Sequence, residues 1–451
     1  MKLTFALLAL VGLCLGNPRA FAQHPVQNGV AVTEKASPAD NFVDAIGVNT
    51  HITYTQSNYA NFSAVLQALQ ELGVRHIRDG YVSTAAWGTT YPGKSPYYAD
   101  HRALVNAGIH TNYLVNCFVN GALPSASDIV AFAKLVGDMD AIEAANEPDD
   151  NSGCIQNGAT VWQTNVAAQL GVLHTAASTL KVPLYGPAMV YAGSAGEIGN
   201  QSANVTDCNI HFYSGGRQPE INNWGPAHGD PNGYGYAGIR WWIDQETLPL
   251  LNGYAQGRPC VITETGFFAF PATSTPYQVT EAVEAIYFPR TVMAAYAWGI
   301  RRTYLFELME YAGDPLGYGL MRTDNSPKPA FMAVKNLIAT LSDPGTTQFY
   351  PGYLKFEISG STTNVQHFLF QKRDGSFWLA LWNSSSIYSP SANQEISVPP
   401  QSVTLTLFNA YKAQRLQQLD QAGEMSTASL GAKTTVSLNV TSGVSLVKIT
   451  P

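Results

Sequence analysis

Residues 141–148 read AIEAANEP, a short and mostly apolar run that stops at Asn146, Glu147 and Pro148. Pro148 lacks a backbone N–H and therefore ends a strand that precedes it. After a polar loop, residues 161–180 carry apolar side chains at helical spacing. A short strand, a polar loop and an amphipathic helix in this order predict one unit of a parallel sheet with crossover helices.

The same unit recurs towards both ends of the chain. The predicted strands are residues 45–51, 76–81, 111–117, 141–146, 183–189, 208–213, 260–264 and 302–307. The predicted helices are residues 62–72, 129–136, 161–180, 239–251, 279–298 and 329–341. Strands that alternate with helices over roughly 300 residues are typical of a closed (β/α)8 barrel. We therefore predict an α/β fold with a TIM barrel over residues 45–341.

An open, doubly wound sheet is the alternative fold. Such sheets usually carry a glycine-rich phosphate loop directly after the first strand. Here the first strand runs into Asn49, Thr50 and His51, and the G-x-G-x-x-G match at residues 233–238 follows Asp-Pro-Asn rather than a strand. We interpret that match as a loop and favour the closed barrel.

From residue 342 onwards the pattern changes to short β-type runs. These runs are residues 354–358, 367–371, 377–382, 395–398, 403–408, 435–440 and 445–449, whereas residues 411–416 have a helical pattern. Residues 372–375 contain the Asp-Gly pair of a hairpin turn. We predict a small all-β sandwich over residues 342–451, and we expect the lead-in segment 23–44 to donate a strand to it.

The composition restricts the function. The chain of 451 residues is 45% hydrophobic, 13% charged and 11% aromatic, with a formal net charge of −7. Disordered chains have more charge and fewer aromatic residues, so this chain folds. A nucleic-acid partner is not expected, since it requires a cationic face and no basic run is present. A weakly charged, aromatic-rich surface suits uncharged ligands that stack on rings, such as sugars.

Residues 1–22 have the features of a secretory signal peptide. Lys2 precedes an apolar run over residues 3–15, and Ala20-Phe21-Ala22 forms a cleavage motif before Gln23. The apolar run is too short to be a stable anchor, and no later run reaches the roughly 18 apolar residues of a membrane span. We expect a secreted or periplasmic monomer without a membrane span.

Four of the five cysteines remain after removal of Cys14 with the leader. An even number of cysteines in an exported protein indicates disulfides, and four buried free thiols are the alternative. Cys208 and Cys260 begin strands that are neighbours in the barrel, at a spacing that a disulfide can bridge. Cys117 ends the third strand, near the loop of Cys154. We predict the pairs Cys208–Cys260 and Cys117–Cys154.

Two glutamates end predicted strands on roughly opposite sides of the barrel. Glu147 ends the fourth strand and Glu264 ends the seventh. Catalytic groups of this fold lie at the carboxyl ends of the strands. Glycoside hydrolysis needs such a pair, because one carboxylic acid protonates the leaving oxygen while the other carboxylate attacks the sugar or activates water. Asn146, beside Glu147, can hydrogen-bond a sugar hydroxyl.

The motif Asn146-Glu147-Pro148 on strand 4, together with Glu264 in Ile-Thr-Glu-Thr-Gly on strand 7, resembles the two signatures of glycoside hydrolase clan A. The resemblance covers the barrel. It implies that Glu147 is the acid/base and Glu264 the nucleophile of a retaining hydrolase. A barrel followed by a small sandwich is similar to families 39, 30, 51 and 79 of this clan more than to family 5.

Further residues match clan positions. Arg78 on strand 2 and Tyr213 on strand 6 resemble residues that hydrogen-bond the nucleophile and keep it ionised. The pair His211-x-Tyr213 is common in family 5. Strand 8 departs from that family, which often places a tryptophan there, because this chain has Phe306-Glu307. Glu307 is a candidate ligand of a sugar hydroxyl.

Other candidates for substrate binding lie at the strand ends and in the following loops. His51 follows strand 1, and Trp87 and Trp224 lie in the loops after strands 2 and 6, where they can serve as stacking platforms. Core packing or local hydrogen bonding is the alternative for each of them. Trp241 and Trp242 fall within a helical pattern, which favours a core position. An ion pair with Asp79 or Glu71 is the alternative role of Arg78.

No metal site and no cofactor are expected, since H-E-x-x-H, G-x-S-x-G, P-loop and EF-hand motifs are absent. Asp149 and Asp150 are interpreted as part of a solvated loop. The sequence predicts a retaining glycoside hydrolase that acts on a poly- or oligosaccharide. The alternatives are a non-catalytic carbohydrate-binding protein on a degenerate barrel, and an inverting or non-glycosidic barrel enzyme.

Overall fold

A computed structural model of the chain describes residues 25–84, 94–119, 121–150, 152–155, 161–191, 193–221, 238–251, 258–270, 277–312 and 317–451. The predicted signal peptide, Trp87 and Trp224 lie outside these described residues. None of the helices in the described ranges combines the length and the apolar character needed to cross a bilayer.

The helices of the structure are short and lie mainly between strands of the barrel. Their bounds are α1 (Ala39–Asp44), α2 (Phe62–Leu72), α3 (Lys94–Asn106), α4 (Ala126–Val136), α5 (Trp162–Leu180), α6 (Ser194–Ile198), α7 (Ile239–Leu250), α8 (Glu281–Ala297) and α9 (Pro329–Leu341). Two 3-10 turns cover Asn58–Ala60 and Ser152–Cys154.

The strands fall into a barrel region and a C-terminal region. Up to residue 305 they are β1 (Val30–Lys35), β2 (Ser37–Pro38), β3 (Ile46–Asn49), β4 (His76–Gly80), β5 (His110–Leu114), β6 (Ala141–Glu143), β7 (Leu184–Tyr185), β8 (Cys208–His211), β9 (Cys260–Thr265), β10 (Phe268–Phe270), β11 (Gln278–Thr280) and β12 (Arg302–Leu305). Beyond it they are β13 (Tyr353–Gly360), β14 (Val365–Gln371), β15 (Phe377–Asn383), β16 (Tyr388–Ser389), β17 (Gln394–Glu395), β18 (Gln401–Leu407), β19 (Lys412–Leu419), β20 (Met425–Lys433), β21 (Thr435–Val440) and β22 (Ser445–Thr450).

Eight parallel strands form the barrel, in the order β7-β6-β5-β4-β3-β12-β9-β8. A single parallel bridge between Tyr185 and Asp207 joins the two end strands. The α/β barrel is therefore confirmed. Most of the strands are shorter than the sequence predicts: strand 4 of the barrel (β6) ends at Glu143 rather than at Asn146, and β5 ends at Leu114 rather than at Cys117.

Helix α2 illustrates how local sequence fixes these elements. Val65, Leu69 and Leu72 are fully buried and repeat at helical spacing on one face. The side chain of Asn61 accepts a hydrogen bond from the amide of Ala64 and caps the first turn. Gly73 follows the last turn with φ of 82°, a left-handed conformation that favours glycine, and so ends the helix.

The C-terminal strands form two antiparallel sheets. One has the order β1-β13-β18-β21, so the lead-in segment donates β1 to it as expected. The other has the order β2-β14-β15-β22-β19-β20, in which β2 pairs in parallel with β14. Apolar side chains of both sheets, such as Phe356 and Leu379, pack together into a core of their own. This arrangement confirms the all-β sandwich.

Residues 411–416, which the sequence predicts as helical, belong instead to strand β19. Ala413 is buried between the sheets and its neighbour Lys412 is exposed, as in a strand of the sandwich. An irregularity of register between Ala413 and Arg415 leaves Arg415 exposed as well. Apolar spacing over six residues does not separate the two periods, and pairing with β20 and β22 decides the outcome.

The six-stranded sheet packs its second face on the barrel. Phe370 of β14 lies 5.1 Å from Phe42 of α1, measured between ring centroids, and Phe368 lies 5.5 Å from Tyr296 of α8. Trp378 and Trp382 of β15 belong to the same core as the barrel helices. The sandwich and the barrel therefore share one apolar interface.

Candidate active site

The carboxyl ends of strands β6, β8 and β9 bring Glu147, His211 and Glu264 together. The Nδ1 atom of His211 lies 2.7 Å from Oε1 of Glu147 and 3.5 Å from Oε2 of Glu264. A ring nitrogen of His211 and one carboxylate oxygen of each glutamate lie within 4.8 Å of one another. The two carboxylates that the sequence singled out therefore face each other across one histidine.

Glu264 is the more enclosed of the two glutamates. Its side chain is 9% exposed, against 27% for Glu147. Arg78 donates from Nη1 to Oε1 of Glu264 at 2.6 Å, and Tyr213 donates its hydroxyl to Oε2 at 2.9 Å. Two donors, one of them cationic, therefore hold this side chain in place. The pKa of Tyr213 is well above its ordinary value, because burial and the nearby charge of Glu264 both disfavour the phenolate.

Arg78 is held by a second carboxylate that lies deeper in the barrel. Its Nε and Nη2 atoms donate to the two oxygens of Glu143, each at 2.9 Å. Glu143 is 1% exposed, and it also accepts hydrogen bonds from Asn112 at 2.6 Å and from Thr263 at 2.9 Å. Although burial opposes the charge, the two carboxylates raise the pKa of Arg78 above its ordinary value.

Sequence reasoning missed Glu143. A charged residue inside the apolar run of strand 4 was the available signal, because such a residue is rarely buried without a partner. The ion pair of Arg78 with Asp79 or Glu71, considered from the sequence, is wrong. Asp79 instead accepts hydrogen bonds from Thr50 and from backbone amides, and Glu71 pairs with Lys335.

Two asparagines complete the surroundings of Arg78. Oδ1 of Asn146 accepts a hydrogen bond from Nη2 at 2.7 Å, and Oδ1 of Asn49 accepts one from Nη1 at 3.0 Å. Asn49 also donates to the backbone carbonyl of Thr263 at 3.0 Å, so strands β3 and β9 are linked at this level. Because the oxygen of Asn146 points to Arg78, its amide nitrogen is the end that can donate to a ligand.

The backbone places Glu147 in an unusual conformation. Its φ is 43°, in the left-handed region that is costly for a residue with a side chain. Asp149 fastens the same turn by accepting hydrogen bonds from the amides of Val190 at 3.0 Å and Tyr191 at 2.8 Å. Asp149 lies in a partly exposed loop, and it also ties the loop after β6 to the loop after β7.

His211 links the two glutamates electrostatically. Burial by itself lowers the pKa of this imidazole, but the negative charge of Glu264 and the hydrogen bond to Glu147 raise it above the ordinary value. The side chain is 3% exposed. A protonated Nδ1 of His211 donates its hydrogen bond to Oε1 of Glu147.

His51 and Glu307 meet on the side of the mouth formed by strands β3 and β12. Nε2 of His51 lies 3.2 Å from Oε2 of Glu307, and the hydroxyl of Tyr59 donates to the same oxygen at 3.1 Å. Glu307 is fully buried, whereas Tyr54, stacked on His51 at 4.6 Å, is 43% exposed. Tyr54 thus presents an aromatic ring at the mouth.

A row of rings connects this pair to Tyr213. Phe306 lies 5.8 Å from His51, and Tyr318 lies 5.4 Å from Phe306 and 5.6 Å from Tyr213, all between ring centroids. Sequence reasoning did not select Tyr54 or Tyr318, which lie in loops. Trp242 is 2% exposed and packs in the core, as its helical pattern predicts.

The trio of Glu147, His211 and Glu264 has a geometry that could also hold a cation. Both oxygens of Glu264, however, already accept hydrogen bonds from Arg78 and Tyr213, and His211 donates to Glu147. A metal ion would have to displace these donors and lie beside a guanidinium. The arrangement therefore suits proton transfer and nucleophilic attack better than metal binding.

Two disulfides support the site, and both pairs are those that the sequence predicts. Cys208 and Cys260 are register partners at the starts of β8 and β9, with Cα atoms 4.5 Å apart. Cys117 and Cys154, with Cα atoms 5.1 Å apart, connect the loop after β5 to the loop that follows Glu147. The first pair lies at the amino-terminal ends of the barrel strands, and the second lies near the barrel mouth.

Comparison with known structures relates this fold to glycoside hydrolases. A family 39 glycoside hydrolase from Xanthomonas axonopodis pv. citri aligns with a TM-score of 0.54 and 17% identity, over 92% of this chain and 96% of that one. A glucosidase from Croceicoccus marinus aligns with a TM-score of 0.58 and 12% identity, over 94% of this chain and 99% of that one. A family 30 subfamily 8 xylanase from Clostridium acetobutylicum aligns with a TM-score of 0.53 and 11% identity, over 92% of this chain and 97% of that one.

Neither a family model nor a curated protein sequence matches the chain. At 11 to 17% identity the structural likeness establishes the shared fold, a barrel followed by a sandwich, and leaves the individual family open. Families 39 and 30 are among those that the predicted order of barrel and sandwich resembles.

Proposed function

We propose that this protein is a retaining glycoside hydrolase that cleaves O-glycosidic bonds of a poly- or oligosaccharide by double displacement. The observation that carries the proposal is the pair Glu147 and Glu264 at the barrel mouth, with Glu264 held by Arg78 and Tyr213. The fold shared with family 39 and family 30 glycoside hydrolases supports it.

The spacing of the two carboxylates favours retention over inversion. An oxygen of Glu147 and an oxygen of Glu264 lie within 4.8 Å of each other. Retaining enzymes hold their carboxyl groups about 5–5.5 Å apart, so that the nucleophile touches the anomeric carbon directly. Inverting enzymes need about 6.5–9.5 Å to admit a water molecule between the sugar and the base.

In the first step, a carboxylate oxygen of Glu264 attacks the anomeric carbon and forms a glycosyl–enzyme ester. The glycosidic C–O bond breaks, and Glu147 transfers its proton to the departing oxygen. Arg78 and Tyr213 hold Glu264 in its orientation before the attack. The hydrogen bond from His211 to Oε1 of Glu147 fixes the acid in place.

In the second step, Glu147 acts as a base. It removes a proton from a water molecule that attacks the same anomeric carbon from the side the leaving group vacated. The ester bond to Glu264 breaks and the carboxylate returns to its hydrogen bonds with Arg78 and Tyr213. Two inversions at one carbon give net retention of configuration.

The disulfides and the leader motif support a site of action outside the cytoplasm. Disulfides persist in oxidising compartments, and this chain carries two. We propose that the protein is secreted or periplasmic, acts as a monomer and meets a carbohydrate substrate there.

A panel of aryl glycosides and polysaccharides tests the function, with the Glu264→Gln variant as the control. We expect hydrolysis by the natural protein, a first product with retained anomeric configuration by NMR, and no turnover by Glu264→Gln. An inverted first product contradicts the mechanism. Binding of saccharides without turnover by either protein would instead favour the non-catalytic alternative.

A further inference from the structure

A second cleft lies between helix α9 and the six-stranded sheet, away from the barrel mouth. It encloses a cavity of about 420 Å³. Asn336 and Thr340 of α9 line one side, and Trp378, Arg415 and Lys448 of the sheet line the other, together with Asp374 of the turn between β14 and β15. The volume falls within the roughly 300–1,000 Å³ typical of small-ligand sites.

Three cations converge on one indole ring in this cleft. Nζ of Lys372 lies 5.3 Å from the ring centroid of Trp378, Cζ of Arg415 lies 5.7 Å from it, and Nζ of Lys448 also lies 5.7 Å from it. Each distance is within the roughly 6 Å range of a cation–π contact. Trp378 itself is 3% exposed and belongs to the core shared with the barrel, so the ring serves as a fixed base for the cations.

The sheet register makes this arrangement a built feature. Trp378 of β15 is the direct register partner of Lys448 of β22, and Lys448 is in turn the partner of Arg415 of β19. The three side chains form a row across three adjacent strands. Lys372 follows β14, on the other side of β15. The positions of the cations therefore follow from strand pairing.

The positive charge of this row is poorly compensated. Within the described residues the guanidinium of Arg415 has no hydrogen-bond or ion-pair partner, and it lies over the indole of Trp378. Lys448 lies 3.7 Å from Asp374, and Lys372 donates to the carbonyl of Ser342 at 3.0 Å. Asp374 also interacts electrostatically with Lys372, as does Asp343, which leaves Arg415 as the cation of this row without a carboxylate partner among the described residues.

The cleft also offers hydrogen-bonding groups of the kind that recognise hydroxyls. The Oε1 atom of Gln417 is buried and has no hydrogen-bond partner among the described residues. Gln417 is one of the residues that line the cavity, together with Thr340 and Met425. An unpaired buried acceptor costs free energy, which a ligand that donates a hydroxyl proton would recover.

We propose that this cleft binds an acidic saccharide, with a uronate carboxylate between Arg415 and Lys448 and a ring hydroxyl donating to Gln417. A guanidinium pairs with a carboxylate through two parallel hydrogen bonds, and an ammonium adds a point charge. Sugar hydroxyls suit Thr340 and Gln417. This binding site is separate from the barrel mouth and does not depend on the proposed hydrolysis.

Isothermal titration of the full chain tests the proposal with three probes: tetragalacturonate, the neutral cellotetraose, and acetate at the same carboxylate concentration. We expect tetragalacturonate to bind most tightly. The double variant Arg415→Gln/Lys448→Gln should weaken its binding about tenfold, because both charged partners of the carboxylate are lost. Gln417→Ala should weaken it by a smaller factor. Raising the salt concentration should weaken it as well.

Lys433→Gln is the matched control, since it removes one charge from an exposed position of β20 outside the cleft. It should leave the affinity unchanged. Arg415→Gln alone, at an exposed position, provides a test that does not disturb folding. The proposal is overturned if tetragalacturonate does not bind, if the cleft variants bind it as the natural protein does, or if cellotetraose or acetate binds equally well.

Discussion

Arg290 of helix α8 donates two hydrogen bonds to Glu220, from Nε at 2.8 Å and from Nη2 at 2.6 Å, in a fully buried ion pair. Trp382 of the sandwich donates its indole N–H to the same carboxylate at 2.7 Å. Arg290 also donates to the carbonyl of Ser384 at 2.9 Å. Glu220 lies in the loop that begins beside Tyr213, so the sandwich holds an active-site loop of the barrel.

Replacement of Glu220 by Gln should destabilise the protein. Breaking a buried pair by removing one charge typically costs about 3–5 kcal/mol, since the partner stays buried and uncompensated. Trp382→Phe keeps a ring in place and removes one hydrogen bond, so we expect a loss nearer 1–2 kcal/mol. Urea denaturation measures both. Equal losses for the two variants would show that ring packing, and not the ion pair, dominates this interface.

Glu143→Gln should lower kcat by roughly ten- to a hundredfold with little change in KM, because a displaced Arg78 no longer aligns Glu264. Steady-state kinetics on an aryl glycoside measures this split. Asp40→Asn is the matched control. It removes the carboxylate of another bidentate ion pair, that of Asp40 with Arg75, which lies away from the barrel mouth. That control should reduce stability and leave kcat unchanged. A similar loss of kcat in both variants would show that Glu143 has a structural role only.

The proton donated by Glu147 should matter most for poor leaving groups. Glu147→Gln should reduce kcat strongly for substrates whose leaving alcohol is weakly acidic. It should affect the first step far less for nitrophenyl glycosides, whose leaving group departs without a proton. Kinetics of Glu147→Gln on a series of aryl glycosides measures how kcat depends on the acidity of the leaving alcohol. Glu264→Gln is the comparison variant, and it should abolish turnover of every substrate. The acid role is excluded if Glu147→Gln slows every substrate by the same factor.

The two disulfides should contribute similarly to stability and differently to catalysis. They join residues 37 and 52 positions apart, and loops of such similar length give similar entropic stabilisation of about 2–4 kcal/mol. Double replacement by serine of Cys117 and Cys154 should also lower kcat, because this pair braces the loop after Glu147. The same change at Cys208 and Cys260 should leave kcat intact below the melting temperature. Thermal unfolding and kinetics on both variants check this contrast.

Glu284 of helix α8 should make the protein less stable at alkaline pH. Burial raises the pKa of this carboxyl from 4.5 to about 8, and neither oxygen has a hydrogen-bond partner within the described residues. Below the pKa of the carboxyl in the unfolded chain, Glu284 is neutral in both states, and its burial carries no penalty for ionisation. As the pH rises from about 4.5 to about 8, the unfolded chain ionises first and stability falls.

Glu284→Gln should therefore gain stability relative to the natural protein between about pH 5 and about pH 8, by at most about 4 kcal/mol, since one pKa unit corresponds to about 1.4 kcal/mol. Urea unfolding at both pH values measures the gain. Glu281→Gln, one turn earlier, breaks the ion pair with Arg322 and should lose stability at both. A gain for Glu284→Gln that is the same at both pH values would contradict the ionisation.

The periodicity of the sequence determined the architecture. Burial of one face leaves a period of 3.6 in a helix and of two in a half-buried strand, and each can be read from residues that are close together in the chain when the run is long enough. Helix α9, Pro329–Leu341, has the bounds that the sequence predicts. The short helix α1 and strand β19 were not recognised, because runs of six to eight residues are too short to separate the two periods.

The sequence also placed Glu147 and Glu264 at the mouth, since every parallel strand of a barrel ends on the same face. It could not say which polar side chains would touch. Strand register and barrel closure set the contacts of Arg78 with Glu143 and of His211 with both glutamates. The same holds for Lys448 and Arg415 beside Trp378. These contacts join residues that are far apart in the chain, so only the tertiary structure decided them: local sequence records burial, whereas contact geometry depends on long-range pairing.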